Sequence, residues 1–310
     1  MPRAAIGRVV DLYTLFYPSF ALPLLDVSRH RCVKVWGFCS GLVLEVEHGT
    51  LYAIHEDPRC VDYAQYLAGT WISVDDVVRD ISSRLLKQVV EDIAAVYGWF
   101  GVATSPRDDV ELFASIYMSR NTDFHRNVVR WIHTIFRVYG GVERVAQVEP
   151  YEIGKQVSRS YQVVQLPQAV KRYLELRSDI LSRDSWFCRK AVLSIPYAGP
   201  KVADAYLLFV RLDPSYAPVD KNFRVFVKRF GLEKELGEHL PQKQLCIRYT
   251  CSTCPASGRC IASLARHRLG KAFGWLQTVA YTHTKIFCRT GSCTSCPLRY
   301  LCTEPTMYRR

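Results

Sequence analysis

At 310 residues and 35.5 kDa, the chain is long enough to bury one large or two ordinary cores. An apolar content of 49% and a charged content of 23% exclude a disordered chain, and no run reaches the roughly 18 uninterrupted apolar residues of a membrane span. A net charge of +12 and an isoelectric point near 9.2 point to a polyanionic partner, nucleic acid before membrane.

The N-terminus reads as no cleavable signal, and its most apolar run, Leu12 to Val27, is broken by Pro18 and Pro23. The expectation is an intracellular monomer, in the cytoplasm or nucleoid, whose 12 cysteines are not used for disulfides. Only three asparagines occur, Asn121, Asn127 and Asn222, a weak hint of a hot habitat.

Strand signals come first: Val33 to Cys39, then Leu42 to Val46 and Leu51 to Ile54 flanking a His48-Gly49 turn. Ser73 with Asp76 makes a capping-box-like start, and Val77, Ile81, Leu85, Val89 and Ile93 recur every four residues. That spacing predicts one long helix ending at Gly98. From Gly101 the pattern is helical. Asp108 and Asp109 favour a helix start, Leu112, Phe113, Ile116 and Tyr117 form its buried face, and Ser119 to Asp123 interrupts it before an amphipathic run, Val128 to Tyr139. Two or three further helices are expected between Val142 and Lys190.

The chain is organised around Leu193 to Leu232, which reads as helix end, tight hairpin, helix, loop and helix. Pro196, Gly199 and Pro200 punctuate the hairpin, and Pro214 and Pro218 the loop. Lys201 stands in the first turn of the apolar helix Val202 to Val210. Asp220 precedes the periodic run Phe223, Val225, Phe226, Val227 and Phe230. An amine and a carboxylate thus sit at two helix starts, 19 residues apart. Asp220 as a plain N-cap is worth about 1 kcal/mol, and a lone lysine is usually a surface group. A lysine at a helix N-terminus, however, opposes the helix dipole, and a glycine turn followed by a helix N-terminus forms a ready phosphate site.

The run from Ile195 through Pro196, Tyr197, Ala198, Gly199, Pro200, Lys201 and Val202 to Ala203, followed later by Val219 and Asp220, resembles the helix-hairpin-helix plus Gly/Pro-Asp motif of base-excision DNA glycosylases. The stretch Lys201 to Asp204, KVAD, is closest to the 8-oxoguanine branch. The resemblance implies a mostly α protein: a small α/β N-terminal domain (1–100), a helical glycosylase body (101–240) and a cysteine-rich iron–sulfur region (241–310). It assigns Lys201 as nucleophile and Asp220 as the shared catalytic aspartate. Arg120 and Asn121 fall where such enzymes fill the gap left by an extruded base. Tyr197, Ala198, Gly199 and Asn222 are the other expected DNA contacts. Tyr197 departs from the family, because a hairpin glycine is expected there. If that position needs φ > 0, the tyrosine is strained.

The C-terminus holds an internal repeat. Cys246, Cys251, Cys254 and Cys260 have the spacing C-x4-C-x2-C-x5-C, and Cys288, Cys293, Cys296 and Cys302 repeat it 42 positions later. A proline follows the third cysteine both times, Pro255 and Pro297. Two such sets demand metal. Structural zinc usually takes two separated C-x2-C knuckles, whereas each set here has one knuckle with outlying cysteines, which a four-thiolate iron–sulfur cluster accommodates. The second set resembles the C-terminal [4Fe–4S] site of endonuclease III-like enzymes, with a first gap two residues shorter and His283 where that family has a histidine. A [4Fe–4S] cluster is therefore expected there. For the first set a second [4Fe–4S] cluster or zinc is expected, in either case pinning loops whose Arg248, Arg289 and Arg299 could meet phosphate. Cys32, Cys39, Cys60 and Cys188 are read as free, small hydrophobes.

The activity implied is excision of an oxidised base from damaged double-stranded DNA, 8-oxoguanine slightly before oxidised pyrimidines, through a lysine Schiff base and β-elimination. Three alternatives stay open: an endonuclease III-like enzyme for pyrimidines, a monofunctional glycosylase in which Asp220 activates water, and a damage-binding protein without activity.

Overall fold

The computed structural model describes residues 2–304. Its N-terminal part is an antiparallel sheet of five strands: β1 Arg3–Arg8, β2 Leu25–Val27, β3 Arg31–Lys34, β4 Val43–Glu47 and β5 Thr50–Ile54, ordered β1-β5-β4-β3-β2. β4 and β5 pair from Val43 opposite Ile54 to Glu47 opposite Thr50, leaving His48 and Gly49 as a two-residue turn. Both turn residues have positive φ, 50° and 78°, the geometry that matches strand twist in a hairpin. The strand expected over Val33 to Cys39 ends at Lys34. Past Val35 the backbone leaves the sheet: Cys39 takes a positive φ, and the Phe38 N–H donates to Asp108 at 2.6 Å.

Cys39 is bonded to Cys60, with Cα atoms 5.5 Å apart, which overturns the reading of both as free cysteines. Cys60 opens the helix Pro58–Ala68, and the β4–β5 hairpin folds that helix start back over Cys39. Cys32 and Cys188 are free and buried.

The single helix expected from Ser73 to Gly98 is two, Val74–Arg79 and Arg84–Tyr97. A strict four-residue repeat overshoots a helical turn by about 40° at each step. Its apolar positions therefore wind off one face, and Leu85 ends 58% exposed. Ser83 restarts the helix, its hydroxyl accepting the Leu86 N–H at 3.4 Å.

The remainder is helical. Helix Asp109–Met118 begins at the expected aspartates, and the stretch 142–190, where two or three helices are expected, holds four: Pro150–Gln156, Tyr161–Val164, Leu166–Ser182 and Ser185–Ser194. The predicted order of helix, hairpin, helix, loop and helix is realised as Ser185–Ser194, Pro200–Phe209 and Lys221–Arg229 with their connections. Ala272–His283 runs through the centre, buried on nearly all sides, and Trp275 donates to the Phe100 carbonyl at 2.7 Å.

Sheet and helices meet at a buried ion pair. The fully buried Lys34 ammonium donates to Asp108 and to the Trp36 carbonyl, each at 2.6 Å. The Asp108 carboxylate also accepts from the Phe38 N–H and the Ser105 hydroxyl. A charge this deep is tolerated only because it is fully paired. Among the described residues no helix is long and apolar enough to cross a membrane.

Breaking the Cys39–Cys60 bond releases a loop with a sequence separation of 21. Chain entropy predicts a loss of about 3 kcal/mol. Denaturant unfolding of the oxidised protein, compared with Cys39→Ser/Cys60→Ser, measures it.

Candidate active site and nucleic-acid interface

The hairpin is a proline-led turn. Ile195, preceding Pro196, is pushed out of the helical region, with φ −66° and ψ 135°. The Ala198 N–H donates back to the Ile195 carbonyl at 3.1 Å, so Pro196 and Tyr197 are the two central residues. A turn with proline first and φ > 0 second favours glycine at the second place. Tyr197 occupies it at φ 61°, the strain that the sequence raised. Two side chains of the preceding body hold it there. The Tyr117 hydroxyl donates to the Pro196 carbonyl at 3.1 Å, and Arg120 Nη1 donates to the Tyr197 carbonyl at 3.0 Å. Gly199 is extended, at φ −120° and ψ −179°, and a Cβ there would meet nothing within 4 Å. Neither backbone strain nor crowding inside the chain requires a glycine there. The helix Pro200–Phe209 opens directly behind it, with proline at its start.

Arg120 also donates from Nε to the Tyr117 carbonyl at 2.7 Å and from Nη2 to Gln165 at 3.0 Å, with its guanidinium 3.8 Å over the Tyr117 ring. All three of its nitrogens are thus engaged within the chain. Its neighbour Asn121 is exposed and left-handed, at φ 49°, and projects at the cleft. Ala198, expected as a DNA contact, is fully buried, and its N–H is spent on the Ile195 carbonyl inside the turn.

Lys201 and Asp220 line one cleft of about 930 Å³. Lys201 donates from Nζ to the Ser119 carbonyl at 3.3 Å. Burial pushes its pKa below the ordinary lysine value, and the Asp220 carboxylate pulls it partly back. Asp220 caps the helix Lys221–Arg229. One carboxylate oxygen accepts the Asn222 and Phe223 N–H groups, both at 2.9 Å, and the other accepts the Asn222 side-chain amide at 2.8 Å. The capping and catalytic readings are therefore compatible, since the cap fixes where the carboxylate points. Asn222 itself is buried beside Asp220, with its Oδ1 unpartnered, and its carbonyl accepts the Thr284 hydroxyl at 3.3 Å.

Of the opposite wall, sequence reading named only Arg289. Gln277, Tyr281, Lys285 and Arg289 all line the cleft and recur every four residues along and just past the helix Ala272–His283. That polar stripe on an otherwise apolar helix was the available signal. Gln277 is only 4% exposed, and its amide has no hydrogen-bond partner among the described residues. Lys285 lies 3.4 Å from Asp123. Phe20, Phe124 and Phe209 supply an apolar floor in edge-to-face contact.

Each cysteine set lines a cavity of its own. Cys288, Cys293, Cys296 and Cys302 share theirs with Arg229 and His283. Burial holds His283 neutral, with its pKa lowered to about 4, and it bridges the Tyr97 hydroxyl (2.9 Å) and Cys296 Sγ (3.5 Å). Burial also raises the Cys288 thiol to about 11. Among the described residues, no three His, Cys, Asp or Glu are placed to hold a single metal ion. Tetrahedral zinc, with bonds of about 2.3 Å, needs sulfurs about 3.8 Å apart. Four thiols lining one cavity supply the ligand set of either a zinc ion or an iron–sulfur cluster.

No family model and no curated protein matches the chain. Its fold is shared with solved DNA glycosylases. It is similar to the 8-oxoguanine glycosylase/lyase of Clostridium acetobutylicum in complex with double-stranded DNA containing cytosine opposite 8-oxoguanine: TM-score 0.64, 14% identity, 92% of this chain and 99% of that one. The apo form of that enzyme gives 0.64, 15%, 91% and 99%. The 3-methyladenine DNA glycosylase of Archaeoglobus fulgidus gives 0.64, 11%, 93% and 99%.

The strain at Tyr197 is testable without DNA. Tyr197→Val, β-branched at positive φ, should be less stable than Tyr197→Gly by about 1–2 kcal/mol. Equal unfolding free energies of the two variants would contradict the turn geometry.

Proposed function

On a chain with the fold of the helix-hairpin-helix DNA glycosylases, we propose a base-excision DNA glycosylase with lyase activity, acting on damaged double-stranded DNA. One observation carries this reading: a desolvated lysine and a carboxylate, each at a helix N-terminus, open on the same basic cleft beside the hairpin. The hairpin and the N-terminus of the helix Pro200–Phe209 hold phosphate without reading sequence. Asn121 projects from its left-handed turn to occupy the gap that an extruded base leaves. The base enters over the phenylalanine floor, where the unpartnered Gln277 amide offers both a donor and an acceptor.

Lys201 gives up a proton, and its nitrogen attacks the sugar C1′ carbon. The electron pair of the glycosidic bond leaves with the base. Asp220, held by three N–H donors, stabilises the positive charge that develops on the sugar and acts as the acceptor for the amine's proton. The nitrogen then passes a proton to O4′ as the C1′–O4′ bond opens, which gives the protonated Schiff base from which β-elimination cleaves the strand. An oxidised purine of the 8-oxoguanine type is the favoured base, in line with the KVAD stretch and with the named substrate of the first structural relatives. Cys288, Cys293, Cys296 and Cys302 would hold a [4Fe–4S] cluster, which supplies metal–thiolate bonds that pin the loop carrying Arg289 and Arg299.

A second reading is favoured by the Lys201 contact to the Ser119 carbonyl, which suits a charged ammonium. In that reading Lys201 binds DNA while Asp220 activates water.

Borohydride trapping on duplexes carrying 8-oxoguanine, thymine glycol or an abasic site decides between the two. Wild type should give a covalent adduct, most with 8-oxoguanine among the damaged bases, and Lys201→Ala should lose trapping by about 10³-fold or more. Excision retained in Lys201→Ala without trapping would establish the water route.

The pH profile adds a sign. The amine reacts only when neutral, so trapping on the abasic duplex should rise with pH through an apparent pKa below the ordinary value of about 10.4. The Asp220 carboxylate raises that pKa, so Asp220→Asn should shift the rising limb to still lower pH.

A further inference from the structure

We infer that Cys246, Cys251, Cys254 and Cys260 hold a second iron–sulfur cluster whose negative charge balances the buried Arg189 and the half-buried Arg266, and that this centre fixes one rim of the Lys201 cleft. The observation behind it is a charge that the protein alone leaves unbalanced. Arg189, with its side chain 1% exposed, donates from Nε to Asp204 Oδ1 at 2.6 Å and from Nη2 to Oδ2 at 3.1 Å. Arg266, 16% exposed, stands 3.7 Å from the same fully buried carboxylate and lies 3.6 Å over the Tyr216 ring. Two guanidiniums cannot lose their protons in a protein. One carboxylate against two leaves a net positive charge in the interior. Arg189 Nη1 and Arg266 Nε find no hydrogen-bond partner among the described residues. Such a charge is costly unless something negative meets it.

Both arginines reach the cysteine set. Arg189 Nη2 lies 3.5 Å from Cys246 Sγ, and Arg266 Nη1 lies 3.1 Å from Cys251 Sγ. All four cysteines line the same cavity as Arg189. Neutral thiols there would leave the arginine charge standing. Four thiolates around a [4Fe–4S]²⁺ core carry a net charge of −2 and accept the N–H groups already directed at sulfur. Zinc would give the same charge. The spacing shared with the second set favours a cluster over a single ion.

The set is also tied to the cleft. His239 pairs with Cys260 as a short parallel bridge, its N–H donating to the Arg259 carbonyl at 3.1 Å and its carbonyl accepting the Ile261 N–H at 2.9 Å. The next two residues, Leu240 and Pro241, line both the cysteine cavity and the Lys201 cleft. Asp204 sits on the helix whose first turn carries Lys201, so the arginine pair joins the cluster to the lysine's own helix. The rim effect rests on the glycosylase reading, whereas the metal content does not.

The test is iron, acid-labile sulfide and zinc per chain in the full-length protein purified without oxygen. Wild type should hold about eight irons and eight sulfides. Cys251→Ala/Cys254→Ala and Cys293→Ala/Cys296→Ala should each fall to about half, with little zinc in any of them. Zinc that disappears with the first pair, or iron that the first pair leaves unchanged, would overturn the inference. Should that pair misfold, Arg266→Gln keeps every cysteine. Loss of a buried positive charge should lower the reduction potential of one centre and leave the other unmoved, and should raise KM for DNA more than it lowers kcat. Two unmoved potentials would contradict the charge argument. Eight irons in a protein without excision activity would overturn the proposed function and leave this centre standing.

Discussion

Everything proposed for the cleft depends on one constraint: an amine and a carboxylate must face the same space without closing into a dead ion pair. Two helix N-termini meet it. The cap on Lys221–Arg229 occupies both Asp220 oxygens with N–H donors, so the carboxylate's direction is set by backbone geometry. Lys201 is anchored to a carbonyl rather than to that carboxylate, and burial lowers its pKa. The chemistry available to the amine follows from that separation of roles.

The surrounding structure reads as support for this arrangement. Tyr117 and Arg120 hold the hairpin from the helix before it, and the hairpin in turn aims the helix that carries Lys201. Elsewhere buried charge recurs wherever layers meet. Lys34 with Asp108 joins sheet to helices. Arg177 and Tyr173 converge on Asp109 at the start of the helix that supplies Tyr117. Arg189 with Asp204 joins the Lys201 helix to the cysteine region. Such pairs are poor sources of net stability, but removing one partner from any of them is severe. They suit a molecule that must hold several helix ends in register.

Much of this was legible in the sequence where the signal was local. Proline and glycine marked the hairpin, Asp220 announced its cap, and the repeated cysteine spacing marked two sets before any coordinates. The strain at Tyr197 could be foreseen because the resemblance places a glycine at that point of the hairpin. What sequence did not show was set by packing between distant segments. Cys39 meets Cys60 only because a hairpin folds back. The break at Asp80 to Ser83 was hidden by a four-residue repeat that looked helical while drifting around the axis. Arg120 looked like a DNA contact, yet its guanidinium is engaged inside the chain. The Arg189–Asp204–Arg266 group spans three helices, with no local pattern to betray it.

The most direct measurement is the position of the covalent bond. Borohydride-trapped adduct from the abasic duplex, digested and sequenced by tandem mass spectrometry, should carry the sugar remnant on the peptide containing Lys201 and on no other. A remnant on Lys221 or Lys285, the other lysines of the cleft, or on the terminal amine would contradict the account at its centre, because the desolvated lysine would then not be the nucleophile.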